Sequence, residues 1–184
     1  MARTPSSMVA LGSAAPDFVL PDVVTGKMVT RADVTGPKGM LAMFICRHCP
    51  FVKHVQEELA SLGRDYAKSG VGLVAISAND ESTHPEDSPA NLAAMSKELG
   101  FSFPYLFDES QDVARAYDAQ CTPDFFLYDA KGALVYRGQL DDSRPGNGMP
   151  VTGQDLRSAL DALVAGRPIS PQQRPSIGCN IKWK

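Results

Sequence analysis

Cys46 and Cys49 stand three positions apart, enclose Arg47 and His48, and are followed by Pro50. Two more cysteines, Cys121 and Cys179, lie far along the chain. The thiolate is the reactive form of cysteine, so the question is which sulfur ionises. A free thiol with a pKa of ~8.5 is only about 3% ionised at pH 7. Arg47 is permanently cationic and His48 partly so, and both are expected to lower the pKa of the flanking sulfurs. A stabilised thiolate also makes the disulfide easier to reduce, by ~30 mV for each ~1.4 kcal/mol. The sequence therefore predicts a disulfide more oxidising than one with uncharged intervening residues. Three readings of the pair compete: inert core cysteines, half of a zinc motif, or a redox dithiol. No second Cys-x-x-Cys or His-x-x-x-His is present, so a metal site would need Cys121, His48 or His54 to complete it.

The elements that must hold these residues can be read from hydrophobic spacing. Met40 to Ile45 is a continuous apolar run that suits a strand covered on both faces. Phe51, Val52, Val55, Leu59, Leu62 and Tyr66 recur with helical spacing after Pro50, predicting a helix over 50–68. The dithiol thus sits between a buried strand and a helix N-terminus, where free N–H groups and the dipole favour a thiolate. Around this unit the pattern predicts a hairpin from 18–20 and 28–30, and a buried strand at 71–77. A helix follows from the Ser88-Pro89 cap to Gly100, then a strand at 103–107 and a short helix at 110–118. Strands at 125–128 and 133–137 and a helix capped by Thr152 complete the set. Strands alternating with helices argue for an α/β domain with a largely parallel sheet and an antiparallel edge. Residues 168–184 read as an irregular tail after a core of about 10–167, giving one domain over 1–184.

The remaining candidates have plainer roles. Asp80, Glu81, Glu86 and Asp87 lie in a polar stretch read as a solvated surface loop, with His84 exposed in it. His54 reads as a surface residue of the first long helix. Asp141 and Asp142 follow the last predicted strand and could reach a substrate surface. Four cysteines in 184 residues are too sparse for a disulfide-stapled scaffold. The net charge of −3 argues against a nucleic-acid partner. No run approaches the ~20 apolar residues of a membrane span. Residues 1–17 lack the apolar core of a signal peptide, so a cytoplasmic location is expected. No glycine-rich phosphate loop or Gly-x-Ser-x-Gly elbow occurs, and no cofactor is called for.

The strand–Cys-x-x-Cys–helix unit, with Thr122-Pro123 ahead of a strand, resembles the thioredoxin superfamily. That resemblance implies a thioredoxin-like fold with a central mixed sheet flanked by helices. It also implies a cis-proline loop of Cys121, Thr122 and Pro123 that faces the dithiol and presents backbone to a substrate. Ala15-Pro16-Asp17-Phe18, the helix and strand at 88–107, and residues 44–54, 141–145 and 177–183 are similar to the peroxiredoxin-like (redoxin, AhpC/TSA-type) branch. The resemblance covers about residues 10–184. By analogy with thioredoxins, Cys46 is the exposed attacking thiol, Cys49 resolves it, and Arg47 and His48 tune their pKa. The peroxiredoxin alignment instead makes Cys49 the peroxide-attacking sulfur of an antioxidant thiol peroxidase, with Cys179 a distal resolving cysteine. In that branch a threonine stands three residues before the attacking cysteine; here it is Cys46, which favours dithiol–disulfide exchange. The expected enzyme is a thiol–disulfide oxidoreductase acting on a protein or small-molecule disulfide, thiol or peroxide, with a thiol reductant. A homodimer is the quaternary state the family implies. A metal carrier binding Zn or Cu through Cys46, Cys49 and Cys121 or a histidine is the non-catalytic alternative.

Overall fold

A computed structural model describes residues 3–184. In chain order the elements are β1 (Arg3–Pro5), β2 (Val19–Pro21), β3 (Met28–Thr30), α1 (Arg31–Val34), β4 (Gly39–Phe44) and α2 (Pro50–Tyr66). Then come β5 (Val71–Ser77), a 3-10 turn (Pro85–Asp87), α3 (Pro89–Leu99), β6 (Tyr105–Phe107), α4 (Asp112–Ala116) and β7 (Cys121–Thr122). The chain ends with β8 (Asp124–Asp129), β9 (Leu134–Gly138), α5 (Gln154–Val164) and β10 (Ile177–Asn180).

The central sheet is mixed. β4 pairs antiparallel with β8, β8 antiparallel with β9, and β5 parallel with β6. β5 lies beside β4, joined at the two ends by Lys38 N–H to Gly70 O and Ile45 N–H to Ile76 O. β2 and β3 form the expected antiparallel hairpin. The six-residue apolar run of β4 is explained by two buried faces. Leu41, Met43 and Ile45 join one core with Val52, Val55, Leu59 and Leu62 of α2. Met40, Ala42 and Phe44 join another with Val74, Ile76, Tyr117 and Phe126. Successive strand residues point to opposite faces, so a strand covered on both sides must be apolar throughout. Each fully buried large side chain contributes ~1.5–3 kcal/mol, and this fixes α2 across the end of β4. Among the described residues no helix is long and apolar enough to cross a membrane.

Two expectations are corrected. The tail is not wholly irregular: β10 pairs antiparallel with β7 on one side and β1 on the other. The register sets Cys179 opposite Thr122. Gly178 permits this approach, because a Cβ there would lie 2.0 Å from the Thr122 carbonyl oxygen. The short, glycine-containing segment has no periodicity of its own, so only its tertiary partners make it a strand. The last helix is also capped by Gly153 in a left-handed conformation, not by Thr152.

Candidate active site

The Cys46–Cys49 turn joins the end of β4 to the start of α2. Cys49 is the N-cap residue of α2 and Pro50 its first residue. The cysteine therefore faces unpaired helix N–H groups and the positive end of the dipole. Across from it, the Thr122–Pro123 peptide bond is cis. Thr122 touches both sulfurs: its Oγ1 lies 3.3 Å from Cys46 Sγ and its carbonyl oxygen 3.2 Å from Cys49 Sγ. Behind them stands the tail, which brings Cys179 Sγ to 2.9 Å from Cys49 Sγ. Three cysteines thus form one cluster with Cys49 at its centre.

Their electrostatics differ from the sequence expectation. Cys46 and Cys49 are both fully buried, so Cys46 is not the exposed thiol. Burial pushes the Cys46 thiol well above its ordinary value, and neighbouring Cys49 and the Asp87 carboxylate push the same way. Cys49 goes in the opposite direction. Hydrogen bonds from Cys179 and then Cys46 outweigh its burial and hold it far below the thiol range, with Thr122 and the Val52 N–H assisting. Cys179 is raised, first by its hydrogen bond to Cys49 and then by burial. Of the three sulfurs, Cys49 is the one whose surroundings favour the thiolate.

The two residues between the cysteines also act differently. The Arg47 guanidinium turns away from the sulfurs, donating to Asn91 O at 2.7 Å and pairing with Glu98 at 3.2 Å. It fastens the turn to α3. His48 Nδ1 lies 3.7 Å from Cys46 Sγ and 2.5 Å from Asp87 Oδ2.

Asp87 was assigned by sequence to a solvated loop, yet it is fully buried. Its Oδ1 accepts the Arg47 and His48 backbone N–H groups at 2.8 and 3.0 Å, and its Oδ2 accepts Asn79 Nδ2 at 2.8 Å. Burial pushes the carboxyl up, but the hydrogen bonds from His48 and Asn79 more than reverse this and hold it below the carboxylate range. Asn79 spends its other end on the tail, accepting the Lys182 N–H at 2.8 Å. The carboxylate and the amide therefore couple the dithiol turn to the segment carrying Cys179. Asp87 is the residue that sequence reasoning missed. The only signal for it is its place directly before the Ser88-Pro89 cap.

The other candidates fall outside the cluster. Cys121 is buried and its Sγ lies 3.6 Å from Pro123 O, one residue out of alternation with Thr122; burial raises its thiol strongly. His54 is not solvated as expected, since its Nε2 is buried and has no partner among the described residues. His84 is half-buried, its ring 4.8 Å from that of His48. Asp141 is committed to the backbone around it. It is buried and accepts the Ser143, Thr152 and Gly153 N–H groups, bracing the loop before α5. Asp142 is exposed and pairs with Arg174.

A Cys-x-x-Cys turn at a strand-to-helix junction, opposed by a cis-proline on a mixed sheet with both faces covered, defines a thioredoxin-like protein. More narrowly, the chain belongs to the AhpC/TSA family, whose family model matches residues 11–137. It is 30% identical over 131 residues, 71% of this chain and 70% of the relative, to the thiol-disulfide oxidoreductase ResA of Geobacillus thermodenitrificans. Among solved structures it is similar to an uncharacterized conserved protein from Geobacillus kaustophilus. That likeness has 56% identity and a TM-score of 0.98 and covers 100% of this chain and 97% of the other. A putative thiol:disulfide interchange protein DsbE from Chlorobium tepidum shares the fold, with a TM-score of 0.65 at 21% identity over 84% of this chain and 98% of that one.

Proposed function

We propose that this protein is a thiol–disulfide oxidoreductase in which Cys49 is the attacking sulfur. The observation that carries the reading is the central position of Cys49, whose thiolate is supported by Cys179 at 2.9 Å and by Cys46. In the forward direction the Cys49 thiolate attacks a substrate disulfide. A Cys49–substrate mixed disulfide forms and one substrate thiolate leaves. A second cysteine then gives up its proton and attacks Cys49, releasing the other substrate thiolate and closing an intramolecular disulfide. Cys179 is the resolving sulfur best placed for this step, and Cys46, beside Cys49 in the turn, can take the bond in turn. The substrates are thiols and disulfides, and an external thiol restores the reduced state. Thr122 and Pro123 present backbone to the substrate chain. The cytoplasmic location and the homodimer belong to the same proposal. They rest on the sparse cysteine usage and the family resemblance, and fractionation and light scattering test them.

Trapping with a disulfide substrate tests the order of attack. The double variant Cys46→Ser/Cys179→Ser is expected to accumulate mixed disulfides on Cys49, read by mass spectrometry, and Cys179→Ser alone to accumulate more of them than Cys46→Ser alone. Adducts that form on Cys46 in a Cys49→Ser protein would reverse the assignment.

A peroxidase reading uses the same sulfur and is favoured by the low Cys49 pKa. The Cys49 thiolate would take one oxygen from a hydroperoxide, leaving a sulfenic acid and an alcohol or water. Cys179 would then displace water to give the disulfide. Peroxide consumption in the presence of a thiol, compared with insulin disulfide reduction by the same sample, separates the two.

A further inference from the structure

The Cys46 Sγ, His48 Nδ1 and an Asp87 carboxylate oxygen all lie within 4.8 Å of one another. This set mixes sulfur, nitrogen and oxygen, the three donor types that zinc takes from proteins. We propose that Cys46, His48 and Asp87 form a binding site for a zinc-type divalent cation in the reduced protein.

Two of the three ligand separations lie close to tetrahedral values, and the third is within 4.8 Å. Two donors on one tetrahedral zinc, with bonds of ~2.3 Å to sulfur and ~2.05 Å to nitrogen, are separated by roughly 3.6 Å. Cys46 Sγ and His48 Nδ1 stand 3.7 Å apart. Two nitrogen or oxygen ligands are separated by roughly 3.4 Å, so the 2.5 Å contact between His48 and Asp87 must open by under ~1 Å. Asp87 is held in place for this independently of His48's ring. Arg47 N–H, His48 N–H and Asn79 Nδ2 all donate to it, a second shell of the kind that orients metal-binding carboxylates.

Binding would expel the Cys46 proton, as a metal does at any thiol ligand. The resulting thiolate and the Asp87 carboxylate carry two negative charges that a divalent cation neutralises within the ligand set, with Cys49 outside it. Arg47 does not compete, because its guanidinium is engaged with Asn91 and Glu98. His48 is mostly covered, its side chain 11% exposed, and the ring of His84 lies beside it.

A consequence follows for the exchange chemistry, and it rests on the function proposed above. When a substrate disulfide oxidises the Cys46–Cys49 pair, two electrons and two protons pass to the substrate, which leaves as two thiols. Cys46 then has no thiolate to offer and the cation is released. Metal binding and the Cys46–Cys49 disulfide therefore exclude each other, whereas a Cys49–Cys179 disulfide leaves Cys46 able to ligate.

Chelator-stripped, reduced full-length protein titrated with Zn²⁺ against a chromophoric zinc indicator tests the site. One zinc per chain is expected, with affinity falling roughly 100-fold or more in Cys46→Ser and in His48→Gln, since even outer-shell losses cost ~10–100-fold. His54→Gln and Cys121→Ser should bind like the parent. Co²⁺ should give a thiolate charge-transfer band that Cys46→Ser abolishes. Binding that survives both Cys46→Ser and His48→Gln would overturn the proposal, as would equal binding by protein carrying the Cys46–Cys49 disulfide. Insulin disulfide reduction by the zinc-free protein is measured in parallel. An inactive protein that still binds one zinc through these ligands would sink the exchange reading and leave the site standing.

Discussion

Two buried carboxylates flank the dithiol, and they differ in charge. Asp87 lies beneath the Cys46–Cys49 turn; Asp124 opens β8, one residue past the cis-proline. Both are fully buried. Asp87 has both oxygens engaged by strong donors and is held below the ordinary carboxylate range. Asp124 accepts the Gln120 N–H at a long 3.2 Å on Oδ2, and its Oδ1 has no partner among the described residues. Burial drives it up to about 8, and nearby backbone N–H groups offset this only in part. Burial alone therefore does not set the charge of a buried acid; the number and strength of its donors do. Asp87 serves as an anion around which the turn is organised, whereas Asp124 is a neutral filler at acid and neutral pH.

Removing Asp87 is the strongest way to break the contrast. Asp87→Ala strands four donors around an empty site. It is expected to destabilise the fold by ~3–5 kcal/mol, the range for breaking a buried charged network, as read by urea unfolding. Exchange activity should fall with it, because the turn carrying both sulfurs loses its anchor. Asp87→Asn keeps one acceptor oxygen for the backbone N–H groups and should lose less. If Asp87→Ala unfolds like the parent, the carboxylate does not organise the turn.

Asp124→Asn should do the reverse. The folded carboxyl titrates at about 8, against ~3.9 when unfolded. Between these values the unfolded chain has released its proton while the folded chain keeps it. The unfolded state binds fewer protons, so the parent loses stability as pH rises from ~4 to ~8. The asparagine variant removes this loss and should gain on the parent by roughly 3–4 kcal/mol between pH 5 and pH 8. Urea midpoints at the two pH values measure it. A constant difference between the two proteins would mean that Asp124 is ionised throughout.

This contrast shows what was legible in the sequence. The β4–turn–α2 unit was readable because an apolar run, a proline at a helix start and a helical stripe all state local preferences. The cis-proline strand was placed by resemblance. Asp87 was not readable, since four acidic residues in one polar stretch look alike until packing buries one of them. Cys179 was an open candidate for the same reason: its contact with Cys49 depends on Gly178 allowing β10 to lie against Thr122. The different surroundings of the two turn cysteines were not readable, because the sequence shows the charge of Arg47 but not that its guanidinium reaches Asn91 and Glu98.

The same rule extends to the thiols, with a smaller effect. Cys49 is low because Cys179 and Cys46 donate to it, and Cys46 is high because burial is not offset. Cys179→Ala removes the leading donor, so the Cys49 pKa should climb toward the ordinary thiol value. Alkylation of Cys49 by iodoacetamide, mapped by mass spectrometry, should be nearly flat with pH in the parent. In the variant it should fall ~10-fold for each pH unit below the raised pKa. Identical profiles would show that the helix N-terminus, not Cys179, holds the thiolate.

The smallest effect is expected at Arg47, and it discriminates most finely between charge and contact. A cation that tuned the dithiol would, on removal, raise the Cys49 alkylation midpoint. The observed guanidinium faces Asn91 and Glu98, and the Glu98 side chain is 62% exposed. An ion pair of that kind is worth ~1 kcal/mol or less. Arg47→Ala should therefore leave the alkylation profile in place and lower stability by no more than this amount, while the Arg47 backbone N–H continues to hold Asp87. A shifted profile would return to Arg47 the role that its sequence position suggested, and would mean that through-space charge outweighs the donors that separate Asp87 from Asp124.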